Sequence, residues 1–178
     1  MPTNLPLHAS SGWRRWWPHF LAHARGARRC LKRGELQALE QQIKASEIRH
    51  LGELRICIES SLSPEGLWRG QTARQRAAEL FSILGVWDTE HNNGVLIYLL
   101  LAERRIEVLA DRGLAHHPDA QAAFDTIVNT LLPDLQRDDF ASALSKAIVQ
   151  VGELLAKHYP AESGERNDNE LSNAIVLL

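Results

Sequence analysis

This sequence is short of most features that announce a function. Its two cysteines, Cys30 and Cys57, are too few for the disulfide framework of a secreted domain. They read as two reduced thiols, Cys57 within a strand and Cys30 beside a basic helix. No apolar run approaches the ~20 residues that cross a bilayer; the longest, residues 95–102, has the length of a strand. A signal-peptide core is missing too, because Arg14 and Arg15 interrupt the N-terminal region and Pro18 follows. These absences predict a cytoplasmic protein. There is no phosphate-binding loop, no cysteine-based phosphatase loop, no serine elbow and no zinc-finger spacing. Acid is also absent from residues 1–34, which hold seven of the twenty Lys and Arg. The remainder carries 13 basic against 22 acidic side chains, a charge of −9. A basic arm on an acidic body points to a docking surface, within the chain or between chains.

What is present is enough for one domain, since a chain of 178 residues buries roughly 70% of its unfolded surface. Trp13, Trp16, Trp17, Phe20, Leu21 and Ala24 recur at helical spacing, with Pro18 either starting the helix or breaking it. A second helix is expected over residues 35–50 with Leu36, Leu39 and Ile43 on one face. Residues 54–60 alternate as a strand, with Leu54, Ile56 and Ile58 inward, and Ser63 to Gly66 read as a turn. Thr72 and Gln75 make a capping box for the next helix, which Gly85 ends. Residues 95–101 form a continuously apolar strand, as expected for one buried on both faces. Ala102-Glu103-Arg104 turn it back into a strand over 105–111. Pro118 opens a helix to about Leu132, where Pro133 breaks it. A last helix aligns Phe140, Leu144, Ile148, Val151 and Leu155.

This order predicts an α/β fold: a three-layer α/β/α sandwich with a small mixed sheet, a right-handed β-α-β crossover plus a β-hairpin, and extra N- and C-terminal helices. The expected divisions are a basic Trp-rich arm (1–34), an α/β domain (35–160) and a polar tail (161–178). The tail ends in Ala174-Ile175-Val176-Leu177-Leu178, which should dock on the domain instead of standing in water.

Two short motifs mislead. Arg49-His50-Leu51-Gly52-Glu53 is similar to the Arg-His-Gly-Glu of phosphohistidine phosphatases, but a leucine intrudes and the motif precedes a strand. Asp88, Glu90 and Asn92 fall on ligand positions of an EF-hand loop, yet Asn93 stands where that loop needs Gly and Leu99 where it needs Glu. His116-His117 reads as a solvated turn in preference to a metal-binding pair.

The geometric candidate is an edge of the sheet. A hairpin centred on Glu103 sets Val95 opposite Asp111 and Gly94 opposite Arg112. The loop Asp88-Thr89-Glu90-His91-Asn92-Asn93 then meets Asp111-Arg112-Gly113, and Glu53 joins them at the start of a parallel strand. Oxygens of Asp88, Glu90, Asn93, Asp111 and Glu53 suit a hard cation, Ca²⁺ or Mg²⁺, and Arg112 suits an anion such as phosphate. The alternative for the same residues is a solvated loop that supplies caps and turn conformations.

The stretch from Phe81 through Leu84-Gly85-Val86-Trp87-Asp88-Thr89-Glu90-His91-Asn92-Asn93-Gly94-Val95-Leu96-Ile97-Tyr98, with Ala102-Glu103-Arg104-Arg105-Ile106-Glu107-Val108 and Asp111-Arg112-Gly113, resembles the TPM domain family. That family takes its name from thylakoid-lumen, photosystem-repair and acetylcholine-receptor-associated proteins. The resemblance runs over about residues 52–159. The N-terminal helices and Asn169-Glu170-Leu171 resemble a short bacterial subgroup without a membrane anchor. It implies the same sandwich fold and an acidic cleft, with Asp88, Asn93 and Asp111 as cleft residues. Some members are described as acid phosphatases with a divalent metal, others as assembly or accessory proteins. Asn92 stands where the family often has Asp, which removes a carboxylate. Glu103 stands where Asp is frequent.

Two functions follow. One is a non-catalytic accessory, assembly or binding module, using its acidic edge and its arm to meet a protein partner or an anionic membrane surface through residues 13–33. The other is a metal-assisted phosphatase, with the cation polarising a phosphomonoester, Arg112 neutralising charge and Asp88 or Glu90 as general base. Nucleic acid is disfavoured by the −9 body. The arm itself has two destinations. Its aromatic stripe packs on the domain's own helices, or it lies on a membrane as an interfacial helix.

Overall fold

A computed structural model describes residues 12–161 and 170–178, with the side chains of 12–14, 23–25 and 28 outside the described set. The chain runs α1 (Gly12–Arg25), α2 (Arg33–Glu47), β1 (Leu54–Glu59), α3 (Pro64–Trp68), α4 (Ala73–Ile83), β2 (Val95–Leu100), β3 (Arg105–Ala110), α5 (Arg112–Ala115), α6 (Ala120–Gln136), α7 (Phe140–His158) and β4 (Val176–Leu177). The sheet order is β3-β2-β1-β4. β1 and β2 are parallel, β2 and β3 antiparallel, and β4 adds parallel to the free edge of β1.

The layers follow from the pleat, because successive strand residues face opposite sides. Leu54, Ile56, Ile58, Val95, Ile97 and Leu99 pack with side chains of α2, α6 and α7 such as Ile43, Leu131, Leu144 and Val151. Cys57, Leu96, Tyr98 and Leu100 pack on the other side against Ala73, Ala77 and Leu80 of α4 and Leu67 of α3. β1 and β2 are therefore covered on both faces, which is why they read as continuous apolar runs. The α/β sandwich and its mixed sheet are as the residue pattern predicts.

Several local expectations need correction. Pro18 neither starts nor breaks α1, which runs through it. Likewise α6 begins at Ala120, not Pro118, and continues through Pro133 to Gln136. A proline there forfeits one helical hydrogen bond, but the turn is held by burial of Leu131, Asp134 and Leu135. Asp134 is tied to Arg137 and to Lys146 of α7, each at 2.6 Å. The Ser63–Gly66 turn is the start of α3, with Ser63 Oγ accepting from Gly66 N–H at 3.0 Å. The hairpin is one residue out of the expected register: Val95 pairs with Ala110 and Leu100 with Arg105. The cause is a longer connection, a 3₁₀ turn over Leu101–Glu103 followed by Arg104 at φ 48°.

The arm departs furthest from expectation. α1 sits on the domain by its polar side. Arg15 Nε donates to Glu103 Oε1 at 2.7 Å, and His19 Nε2 lies 3.1 Å from the same oxygen. Leu62 N–H donates to His19 Nδ1 at 3.0 Å. His19 is only 2% exposed, whereas Trp17 is 66% and Phe20 70% exposed. Trp16 and Leu21 are exposed as well. Within the described part of the aromatic stripe, Trp17 and Phe20 thus face solvent, while Trp16 and Leu21 are partly covered at 38% and 41% exposure. Trp13 and Ala24 side chains lie outside the described set.

The tail, from Glu170 onward, crosses the end of β1 and closes as β4. Ser60 N–H donates to the Leu178 carbonyl at 3.0 Å, and Leu171 and Ile175 are buried. The polar segment 162–169 lies outside the described residues, as does the polar lead 1–11. No described helix is long and apolar enough to cross a membrane.

Candidate functional site

The sheet edge gathers much of what the sequence places there. Val95 N–H donates to Glu53 O at 2.8 Å and Asp111 N–H to Gly94 O at 2.8 Å, so Glu53, Gly94 and Asp111 align across three strands. The corrected register puts Asp111, and not Arg112, opposite Gly94. Gly94 is required by this packing: a Cβ there would sit 2.0 Å from the Val86 carbonyl oxygen. Gly113 is held in the same way, with Asn92 O at 2.4 Å and the Tyr159 hydroxyl at 2.7 Å from an added Cβ.

The 88–93 loop is folded on itself by Thr89, whose Oγ1 accepts from Asn93 N–H at 3.1 Å. Asn92 takes φ 51°, a conformation asparagine tolerates. Its carbonyl accepts from Gly113 N–H at 2.9 Å and its Oδ1 from Arg112 Nε at 2.9 Å. Arg112 is therefore tied to the loop while its side chain stays exposed. Asp111 caps α5, accepting from Arg112 N–H at 2.7 Å through Oδ1. Asn93 is buried and donates from Nδ2 to Leu51 O at 2.9 Å. Asn93 Oδ1 and Asp111 Oδ2 are both shut off from solvent without a hydrogen-bond partner. Buried acceptors left so are uncommon.

Asp88 and Glu90 stand apart from this centre. Both are exposed, and Glu90 offers its backbone N–H to the carboxylate of Glu170 at 3.1 Å. Among the described residues, Glu53, Asp88, Glu90 and Asp111 form no set of three donors within 4.8 Å of one another. Amide and carboxylate oxygens are the donor type that hard cations take. The two orphaned oxygens do not make a complete cage.

Buried acids complete the edge, Glu53 as the sequence places it and Glu47 without a signal in the sequence pattern. Glu53 is fully buried, and its Oε2 accepts from Leu171 N–H of the tail at 3.0 Å. Beside it, at the end of α2, Glu47 is buried too, with Leu54 N–H 3.4 Å from its Oε1. Burial, followed by the neighbouring Glu53 charge, pushes the Glu47 carboxyl up to about 8. His50 is buried with Nδ1 2.9 Å from Gly52 O and Nε2 3.0 Å from Ser46 Oγ. Both ring nitrogens are thereby engaged in structural contacts, and desolvation lowers its pKa to about 4. The Arg49–Glu53 stretch is therefore a folding element and not a nucleophile site. At the opposite end of the sheet Glu59 accepts from Tyr98 Oη at 2.6 Å and from Arg76 at 2.8 Å, a second buried polar cluster.

Comparisons with known proteins agree with this architecture. The structure is similar to the NMR structure of the BA42 protein from the psychrophilic bacterium Bizionia argentinensis, with TM-score 0.70 and 25% identity over 82% of this chain and 94% of that one. It is also similar in fold to the N-terminal domain of a P. gingivalis protein, with TM-score 0.58 and 18% identity over 80% of this chain and 93% of the other. No curated protein matches the sequence. The TPM domain model matches residues 27–154, which span both layers of helices and β1 to β3. The chain belongs to the TPM domain family.

Proposed function

We propose that the protein is a non-catalytic accessory or binding module of the cytoplasm, brought to an anionic membrane surface by α1, where its acidic edge meets a protein partner. The observation that supports this reading is the outward aromatic face of α1. Trp16, Trp17, Phe20 and Leu21 are exposed on a helix whose polar side is used for docking to the domain. Trp17 and Phe20 stack at 6.3 Å. Arg29, Lys32 and Arg33 follow, all exposed, and residues 1–34 contain no acid to oppose them. Aromatics aligned with cations are the composition of an interfacial helix. Each basic residue at an anionic surface contributes about 1 kcal/mol.

The test is titration with equimolar phosphatidylcholine–phosphatidylglycerol vesicles, with pure phosphatidylcholine as control. Tryptophan emission shifts to the blue and the protein pellets with anionic vesicles only, less at high salt. A Trp17→Ala/Phe20→Ala variant loses pelleting and keeps its melting temperature. Absence of pelleting with the parent protein, or pelleting that the double variant retains, overturns the reading.

A second reading is a divalent-assisted phosphatase acting on phosphomonoesters, and the two orphaned oxygens favour it. Asn93 and Asp111 would hold Ca²⁺ or Mg²⁺ with water, and the cation would supply charge for a phosphoryl oxygen. The exposed Arg112 would bind the phosphate, with Asp88 or Glu90, both at the solvent side, taking a proton from water. Hydrolysis of an aryl phosphate that stops with chelator and in Asp111→Asn supports this reading. Hydrolysis unaffected by either excludes it.

A further inference from the structure

Another constellation adjoins the cleft, and it takes in His117, half of the His116-His117 pair, together with Tyr159. The Tyr159 hydroxyl packs at Gly113, and its ring meets His117 edge-on at a centroid distance of 6.3 Å. His117 lies just past α5, with its backbone N–H on Leu114 O at 3.1 Å. Asp119 precedes α6, and His158 is the last residue of α7. The two imidazoles face each other with centroids 4.1 Å apart and planes at 38°. His158 Nε2 is shut off from solvent with no hydrogen-bond partner, and Asp119 Oδ2 lies 3.4 Å away. One donor atom from each of His117, Asp119 and His158 falls within 4.8 Å of the others.

Asp119 occupies a helix-cap position without using it. Its side chain makes no capping bond to α6 and turns instead to the C-terminal end of α7, where it also meets Lys157 Nζ. An aspartate at this position ordinarily accepts from the first-turn amides. Two segments far apart in sequence, the α5–α6 connection and the end of α7, thus bring two imidazole nitrogens and one carboxylate oxygen within 4.8 Å of one another. Hard cations such as Ca²⁺ and Mg²⁺ take oxygens, whereas imidazole suits zinc and its neighbours. Three protein donors leave a fourth tetrahedral position for water.

We propose that His117, Asp119 and His158 form a binding site for a zinc-class transition metal, separate from the acidic cleft. Lys157 competes with the ion for Asp119. Its side chain is 63% exposed, so it swings into solvent when the ion enters. The site stands independently of both readings of the protein's function.

The experiment is a competition titration of the full chain with Zn²⁺ against a chromophoric chelator, followed by calorimetry. One equivalent binds. His117→Ala and His158→Ala each weaken binding on the order of a hundredfold, an effect at least as large as losing a partner that merely orients a ligand. His116→Ala, at the exposed neighbour, leaves it unchanged. Lys157→Ala, a surface change that spares the fold, tightens it by removing the competitor. No saturable one-to-one binding, parent-like affinity in both histidine variants, or unchanged affinity in Lys157→Ala overturns the proposal. Should His158→Ala fail to fold, the Lys157→Ala outcome and the Co²⁺ spectrum of the parent decide. A tetrahedral nitrogen–oxygen signature supports the site, and an octahedral aquo spectrum rejects it.

Discussion

Single residues set the pH response of this fold, and two buried groups work in opposite directions. Glu47, raised to about 8, holds a proton in the folded chain that the unfolded chain releases near its ordinary 4.5. Its contribution is complete below pH 4.5 and is lost as pH rises to about 8. His50, lowered to about 4 from 6.5, is neutral in the fold while the unfolded chain still binds a proton. Its contribution is present above 6.5 and is lost as pH falls to about 4. Between pH 4.5 and 6.5 the two groups oppose each other, and between 6.5 and 8 Glu47 is the one of the pair that still acts. Stability is therefore expected to be level and then to fall by about 1.4 kcal/mol per pH unit. Urea unfolding of the parent and of Glu47→Gln across this range checks it, because the variant has no decline above pH 6.5. A decline that persists in Glu47→Gln assigns the proton elsewhere. Glycine at 94 is a separate matter of space. Gly94→Ala pushes against a carbonyl that cannot move aside and should cost about 1–3 kcal/mol. Gly34→Ala meets nothing within 4 Å and serves as the control in the same denaturation series. At this scale the sequence shows Asn93, Asp111 and Glu53, because loops and strand ends collect at one edge. It does not show Glu47, or the meeting of His117 with His158, because neither pairing has a local period.

Elements were legible where burial is one-sided or complete, and less so where a neighbour overrides local chemistry. The Thr72–Gln75 box starts α4 as written, with Gln75 N–H on Thr72 Oγ1 at 3.2 Å. β1 and β2 were visible because both of their faces are covered. Pro18 and Pro133 misled because a helix with enough packing tolerates one lost hydrogen bond, and the hairpin register slipped because Arg104 adopts a left-handed turn. The tail shows the same override. Its last residues form only two strand positions, yet backbone and side-chain contacts run along its length. Arg55 donates to the carbonyls of Ser172 and Ala174, and Ile175 N–H donates to Glu40 at 3.2 Å. Leu171 anchors it in the α4 face of the core. Leu171→Ala should therefore cost about 2–4 kcal/mol, and removal of residues 174–178 should lower the melting temperature. Hydrogen exchange at Leu54 to Glu59 reads the same event, since loss of β4 leaves β1 an open edge. Unchanged exchange there would mean that the tail rests on the sheet without supporting it.

The whole molecule is an acidic body carrying a basic helix, and what matters is how firmly the one sits on the other. Glu103 is the hinge of that arrangement. Hydrogen bonds from His19 and Arg15 hold its carboxyl below the usual range. Leu62 N–H donates to His19 Nδ1, which leaves Nε2 as the ring nitrogen that donates to Glu103. Among the described side chains of α1, Trp17 and Phe20 lend this anchor little apolar contact. Hollows of about 690 Å³ and 590 Å³ flank it, lined by Trp16, Phe20 and Leu177 in one and by Trp17, Leu21 and Phe140 in the other. Losing hydrogen bonds to one charged group costs about 2 kcal/mol. That converts to roughly a thirtyfold rise in the population with the arm released. Glu103→Ala should therefore be cut by trypsin after Arg29, Lys32 and Arg33 about thirty times faster than the parent, with the melting temperature of the rest of the domain preserved. Anionic vesicles should protect the parent, because the lipid covers the face opposite the Glu103 anchor and leaves that anchor intact. In Glu103→Ala they should bind the arm and leave its junction open to cleavage. Equal cleavage of variant and parent in buffer would show that α1 is held by its apolar face after all, and the outward stripe would no longer be free to meet a membrane.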